Sequence, residues 1–171
     1  MIRMATGSDK DALLDLQRRL DAQSSYMLLE PGERDPDPTS LQRRLDAQRE
    51  MGSFDLVSTD GDKDGPPYVG WLAVDVAPYH RAAHLGYLVL GVDADAAGRG
   101  VGGALTAAAV AEASRRRLRR LELTVMTDNL RAIALYLRQG FEVEGLRRHA
   151  ILRDREMVDE YYMSRLLPEQ Q

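Results

Sequence analysis

The sequence predicts an α/β fold of the α+β type, a mostly antiparallel mixed sheet of about seven strands flanked by about four helices. Three observations predict it. Apolar residues switch repeatedly between the period of two that suits strands and the period near 3.6 that suits helices. The resulting order is one strand, two helices and three strands, then helix, strand, helix and two strands. Finally, Leu85–Val92 is apolar on both faces, as a central strand with a layer on either side must be.

Residues 2–5 read as a short edge strand. Ser8 stands where a helix N-cap is expected, and Leu13, Leu16 and Leu20 recur at i, i+3 and i+7, which predicts an amphipathic helix over 9–21. The segment Glu30-Pro31-Gly32-Glu33-Arg34-Asp35-Pro36-Asp37-Pro38 cannot continue it, because its three prolines remove backbone donors and disfavour helical geometry before them. A second helix starts near Thr39, with Leu41, Leu45 and Met51 on one side. The octet Leu-Gln-Arg-Arg-Leu-Asp-Ala-Gln occurs at 16–23 and again at 41–48. Repeat arrays need about three units to bury a core, so two copies read as a favoured amphipathic pattern.

Phe54–Ser58 and residues 68–76 read as strands joined by a hairpin loop at 59–67, rich in turn formers. Leu85–Val92 is the third of this group, and its Gly86 and Gly91 mark a bulge or a close approach to the backbone. An Ala-rich helix over about 101–114 runs into five arginines within residues 115–120. Residues 121–125 alternate as a strand. Asp128 is placed to cap a helix carrying Ala132, Ile133, Tyr136 and Leu137, and Gly140 to end it. Residues 141–152 and 157–166 are two final strands joined by a turn at 153–156.

Composition narrows the function. A chain of 171 residues fits one domain, 1–171, long enough to bury roughly two thirds of its unfolded surface. The hydrophobic and charged fractions, 44% and 29%, are those of ordinary soluble proteins, and a net charge of −4 argues against a surface built for nucleic acid. The absence of cysteine excludes disulfides, thiolate metal sites and a cysteine nucleophile. His80, His84 and His149 lack metal-ligand spacing, so no metal is expected. No apolar stretch reaches signal or membrane length, which makes a cytoplasmic location and no membrane partner the expectation.

The chemistry concentrates where a strand, a glycine-rich turn and a helix follow one another. Glycines at 98, 100, 102 and 103 let backbone N–H groups crowd an anion, the first turn of the helix adds partial positive charge, and Arg99 adds a full one. A nucleotide P-loop would need a Lys and a Ser or Thr that are missing here, and the dinucleotide fingerprint has a different spacing and strand pattern. On glycine count alone, a turn that merely permits tight packing is the plainer reading.

Further residues decide between them. Val92-Asp93-Ala94-Asp95 followed by Gly98-Arg99-Gly100-Val101-Gly102-Gly103-Ala104-Leu105 resembles the coenzyme A pyrophosphate motif of the GNAT superfamily of N-acetyltransferases. Leu121-Glu122-Leu123-Thr124-Val125, followed by Asn129, Ala132, Leu135-Tyr136 and Gly140-Phe141, is similar to that family's second signature. Glu144-Gly145-Leu146-Arg147 with Asp159-Glu160-Tyr161-Tyr162-Met163 resembles its amino-acid, phosphinothricin and ribosomal-protein acetyltransferase branch. The likeness covers residues 53–167 strongly and the first helices loosely. One position departs from it: Ala97 stands where the loop usually begins with Gln or Arg, so the grip falls on backbone amides from Gly98 to Gly103.

The resemblance implies a GNAT-like fold, acetyl-CoA as cofactor and acetyl transfer to a primary amine in a ternary complex, with a small-molecule or peptide acceptor. It implies that pantetheine lies along Leu90, Gly91 and Val92, that the diphosphate sits on Gly98, Arg99, Gly100, Val101, Gly102 and Gly103, and that Asn129 bonds the cofactor. Tyr136, two helical turns after Asn129 and on its face, becomes the general acid for the leaving thiolate. Glu30 and Glu33 are weak candidates for holding the acceptor. Thr124 occupies the position of a Glu that serves some relatives as base, leaving Glu122, His80, His84 and Asp75 open. A homodimer is common among such relatives. A CoA-binding module without catalysis is the alternative that Ala97 and Thr124 leave open. An RNA-associated protein is the one suggested by the arginine run, read here as a solvated, dipole-matched helix end.

Overall fold

The computed structural model describes residues 1–59 and 67–168, and of residues 49–51 the backbone alone. Most of the predicted loop 59–67 and the side chain of Met51 therefore lie outside the described residues. In chain order the elements are β1 (Ile2–Met4), α1 (Lys10–Gln23), α2 (Pro38–Met51), β2 (Phe54–Ser58), β3 (Gly70–Val76), β4 (Leu85–Val92), α3 (Val101–Arg115), β5 (Arg120–Met126), α4 (Leu130–Arg138), β6 (Glu142–Arg153) and β7 (Glu156–Leu166). Short 3₁₀ turns at Gly7–Asp9 and Ala94–Ala96 precede α1 and α3. The order of elements is the predicted one.

The strands form one sheet in the order β1-β2-β3-β4-β5-β7-β6. Every neighbouring pair is antiparallel except β4 and β5, whose parallel pairing joins only Leu85, Gly86 and Tyr87 to Arg120, Leu121 and Glu122. Past that point the two central strands part. β4 is the middle strand, as its apolar run on both faces requires. On one face α1 and α2 bring Leu13, Leu16, Leu20, Leu41 and Leu45 against Val57, Trp71 and Ala73. On the other, Leu105 and Ala109 of α3 and Tyr136 of α4 pack against Leu72, Val74, Leu88 and Leu123.

The glycines of β4 serve close approach, and no bulge interrupts its register with β3. A Cβ on Gly86 would stand 2.4 Å from Val74 Cγ1, and one on Gly91 would stand 2.4 Å from Leu20 Cδ1. α1 can therefore lie directly on the strand end that borders the fork.

The repeated octet has a structural use in both copies. In the first, Arg19 Nε and Gln23 Nε2 reach the buried Asp93 carboxylate at 3.0 and 3.4 Å. In the second, Arg44 Nη2 and Gln48 Nε2 reach the buried Asp55 carboxylate at 2.7 and 2.6 Å. Arg and Gln four residues apart lie on one helix face, so each copy forms a two-donor clamp on one carboxylate. Asp55 also accepts from Trp71 Nε1 at 2.6 Å.

Local signals depart from expectation in three places. Ser8 does not cap α1: the chain enters through the Gly7–Asp9 turn, where Asp9 Oδ2 accepts from the Thr6 amide at 2.8 Å. Asp128 does not cap α4. Its neighbour Asn129 does, accepting from the Ala132 amide at 3.2 Å, while Asp128 pairs with Arg153. The arginine run is not one solvated helix end, because α3 stops at Arg115 and β5 starts at Arg120. Arg115 and Arg116 pair with Glu112, Arg116 also lies 4.7 Å over the Phe54 ring, and Arg120 bridges Glu122 and Glu144. Gly140, at φ +77°, ends α4 as expected, with the Phe141 amide bonded to Tyr136 O.

Removing the Asp55 carboxylate leaves the Arg44, Gln48 and Trp71 donors without their acceptor. Asp55→Ala is expected to cost about 3 kcal/mol or more, a fall in Tm of roughly 6–12 °C by thermal melting.

Candidate active site

Where β4 and β5 part, a cleft of about 970 Å³ opens between them. Its floor is the last pair, Tyr87 with Glu122, and above it the Tyr87 hydroxyl meets Thr124 Oγ1 at 2.8 Å, tying the two prongs together. The cleft runs from the glycine-rich loop at one end to the α1–α2 loop and the β6–β7 hairpin at the other.

The loop owes its shape to glycine. Gly98 and Gly100 have φ of +84° and +81°, values that other residues adopt only at a cost. Gly100 is also the N-cap of α3 and brings no side-chain cap, so the first-turn amides of the helix are left for an anion. Gly102 has a packing task as well: a Cβ there would stand 2.9 Å from Leu135 Cδ1 of α4.

Asp93 anchors the loop from below. Besides the Arg19–Gln23 clamp it accepts from the Asp95 amide at 3.2 Å, and Gln23 Oε1 accepts from the Ala94 amide at 3.1 Å. Burial pushes the Asp93 carboxyl up. The Arg19 guanidinium, the Asp95 amide and Gln23 outweigh it and hold the group below its usual range.

Of the predicted cofactor-side residues, all but Arg99 line the cleft; Arg99 donates from Nη2 to Asp95 O at 2.6 Å. Tyr136 also lines it, 7% exposed and tilted against Phe141 at 5.7 Å between ring centroids. Burial, helped by nearby Tyr87, pushes its phenol well above the ordinary tyrosine range. Glu30 and Glu33 are not among the lining residues. Glu33 Oε2 accepts from the Glu30 amide at 2.8 Å and closes a local turn. Their neighbour Arg34 lines the cleft instead, held to Asp21 at 2.6 and 2.9 Å and to Gln17 at 3.2 Å.

The base candidates lie elsewhere. Glu122 is bound by Arg120 at 2.8 Å, His80 and His84 are exposed between β3 and β4, and Asp75 borders a neighbouring cavity of about 410 Å³. Five charged lining residues, Arg34, Arg131, Arg138, Arg147 and Glu160, were not nominated as site residues from sequence. Arg131 and Arg138 stand seven apart on α4, two helical turns, and line the cleft with the glycine loop; that spacing was a readable signal. Glu160 lines the acceptor end at 7% exposure. Its signal was a carboxylate alternating with Tyr162 on a strand with covered neighbours. Among the described residues no group of three or more His, Asp or Glu side chains could hold a metal ion, and no helix is long and apolar enough to cross a membrane.

Comparison with known proteins agrees with this fold. The family model described as "Acetyltransferase (GNAT) family" matches residues 19–141. An L-amino acid N-acetyltransferase of Escherichia coli (strain K12) is 39% identical over 108 residues, 63% of this chain; the chain thus spans just under two thirds, 64%, of that relative. Among solved structures, an acetyltransferase of the GNAT family from Streptococcus pneumoniae superposes with a TM-score of 0.90 at 23% identity, covering 98% of this chain and 99% of that one. A GNAT superfamily phosphinothricin acetyltransferase from Sinorhizobium meliloti, solved in complex with AcCoA, has a TM-score of 0.84 at 19% identity, covering 98% and 88%.

The Asp93 clamp has a pH signature. A carboxyl held below its unfolded value stabilises the fold fully above roughly pH 5 and loses that contribution as pH falls through about 4 and on through the folded value. Asp93→Asn should therefore flatten the acid limb of Tm against pH, read by thermal melts from roughly pH 3 to 7.

Proposed function

We propose that this chain, which belongs to the acetyltransferase (GNAT) family, moves an acetyl group from acetyl-CoA to the primary amine of a small acceptor by direct attack in a ternary complex. The observation that carries the reading is the fork itself. One continuous cleft joins an anion-binding loop, an open strand edge, a buried tyrosine and an apolar chamber.

The residues present fit an acyl-CoA. A diphosphate needs converging donors, and Gly98 to Gly103 with the first turn of α3 supply them. Arg131 and Arg138 add charge on the α4 side, and Arg99 adds it at the loop's outer edge. A pantetheine arm needs an extended partner, and β4 offers its edge along Leu90, Gly91 and Val92, where β5 has turned away. When bound, acetyl-CoA supplies the acetyl group as an activated thioester. The solved phosphinothricin acetyltransferase complex with AcCoA supports this assignment.

Asn129 holds the start of α4 with its side-chain oxygen and lines the cleft. Tyr136 donates the proton that the leaving thiolate needs. Burial keeps the phenol protonated throughout the range in which an amine becomes neutral, while making it a weaker acid, so its proton passes as charge develops on the leaving sulfur. The chain has no cysteine to carry the acetyl group, and the cleft brings acceptor and thioester together, so the amine attacks directly. The Escherichia coli relative acts on L-amino acids, which supports an acceptor of that size.

Acetyl-CoA at about 100 times its Kd should stabilise the protein by about 2.7 kcal/mol. Tyr136→Phe should lower kcat by about 100-fold or more with a smaller effect on the KM for acetyl-CoA. No thermal shift with acetyl-CoA, together with no thiol release across an amine panel, would overturn the proposal. The rate of the wild type should rise with pH as the amine loses its proton, without a fall from Tyr136 ionisation below roughly pH 10.

A further inference from the structure

Direct attack by an amine leaves a proton on nitrogen that some group must take, and the cleft offers one side chain for it. Among the described residues, the titratable groups lining the cleft are four arginines, three tyrosines and Glu160. Arginine and phenol side chains ordinarily hold their protons at neutral pH, whereas an ionised carboxylate only accepts. The candidates that the sequence leaves open, Glu122, His80, His84 and Asp75, do not line the cleft.

Strand register places Glu160 near the crotch of the fork. On β5, Leu121, Leu123 and Val125 pack into the core on the Tyr136 side, so Thr124 and Met126 face the other way. On β7, Tyr161 and Met163 join that core, and Glu160, opposite Met126, shares the face of Thr124. Thr124 meets the Tyr87 hydroxyl at 2.8 Å across the fork. The carboxylate therefore stands one rung beyond that closure, on the sheet face opposite Tyr136. Because the sheet is split there, groups on its two faces border one gap.

The carboxylate is held in place from β6. Arg147 Nη1 donates to Glu160 Oε2 at 2.7 Å, and the register shift between Arg147 and Ile151 leaves both of those residues on the cleft. No polar side-chain atom among the described residues is both buried and without a partner, so Oε1 stays accessible where Glu160 lines the cleft.

We propose that Glu160 is the catalytic base that takes the acceptor's proton, with Arg147 positioning it; the inference rests on the acetyl-transfer reading above. Glu160 accepts a proton from nitrogen as the amine's lone pair forms the C–N bond and the carbonyl electron pair moves onto oxygen. Once bonded to that carbon the cationic nitrogen is far more acidic than the parent amine, so a carboxylate paired with a guanidinium is base enough. Tyr136 gives its proton to sulfur as the oxygen's electron pair returns and the C–S bond breaks. Glu160 then releases its proton to water on the half-exposed Arg147 side, and Tyr136 regains one from water, leaving amide and thiol.

Glu160→Gln tests the assignment, because glutamine keeps an oxygen for Arg147 but cannot take the proton. Measured by thiol release at saturating acetyl-CoA with an amine that the wild type uses, it should lower kcat by about 100-fold or more. The rise in Tm caused by acetyl-CoA should be unchanged. Glu160→Ala should lose a similar factor, and added formate should restore part of its kcat with saturation while leaving the wild type unaffected. A merely structural side chain is not replaced by a small free carboxylate. A Glu160→Gln kcat within about threefold of wild type, far below the range for a lost base, overturns this inference and leaves acetyl transfer standing. So does a Glu160→Ala deficit that no formate concentration relieves. No thiol release by the wild type with any amine of a panel, with acetyl-CoA still stabilising the protein, overturns both.

Discussion

The parallel pairing of β4 with β5 is only three residues long, and the rest of the molecule is arranged around where it stops. A parallel pair needs a crossover, here α3, whose N-terminus then lies just past the carboxyl end of β4. The amides that start α3 and the strand edge released by the fork are thus neighbours by topology. β4 keeps its order beyond the fork because β3 pairs with it out to Val92, and β5 keeps its own because β7 does the same out to Met126. Two sheet halves held on their outer sides can diverge at the centre without either prong losing its ladder. The Tyr87–Thr124 hydrogen bond spans the crotch of the fork.

α1 connects the two ends of that cleft. Arg19 and Gln23 fasten it to Asp93 beneath the glycine loop, Leu20 fills the space over Gly91, and Asp21 holds Arg34 of the acceptor-side loop. Buried ion pairs contribute little net stability, because desolvation opposes the attraction, but breaking one is costly, and the cost fixes geometry. Asp93 and Asp55 each meet several donors in this way, which is how a small domain can bury carboxylates without leaving one unpaired. The second octet copy does the same for α2 and β2, away from the fork. The repeat is one helix-to-carboxylate clamp used twice, the first beneath the glycine loop and the second on Asp55, which accepts from the cleft-lining Trp71.

The legible parts of the sequence were those set by neighbours along the chain. Leu85–Val92 and the glycine run declare themselves as strand and turn through periodicity and turn chemistry, the resemblance to the family's signatures adds Asn129 and Tyr136, and the structure brings all but Arg99 of the cofactor-side residues so nominated to one cleft. Errors arose where two adjacent residues could do one task, as with Asp128 and Asn129, and only a distant partner, Arg153, decides which. The same holds for the arginine run, whose inward members answer to Phe54, Glu122 and Glu144, contacts that no local pattern encodes. Glu160 carried only a partial signal, a carboxylate within a strand pattern; its place at the cleft goes with a register shift in the facing strand, and that is a property of the pairing, not of either sequence.

The proposed acetyl transfer requires two proton movements, one away from the amine and one toward the thiolate, and the groups that could serve them lie on different sides of the sheet. Tyr136 packs on the α3–α4 face, whereas Glu160 and Arg147 border the cleft at the acceptor end, beyond the β6 bulge. A phenol driven upward by burial stays protonated and so is not available to take the amine's proton; it is left to meet the thiolate, as a weak acid whose proton passes only as charge develops on sulfur. A carboxylate beside a half-exposed guanidinium suits a cationic or hydrogen-bonding nitrogen and would be wasted on a thiolate, which it repels. Had both groups stood on one face of the sheet, the carboxylate would have disfavoured the charge developing on sulfur. Placing them on opposite faces, Tyr136 with Tyr161 and Met163 and Glu160 on the other side of β7, therefore suits the electrostatics of the proposed reaction.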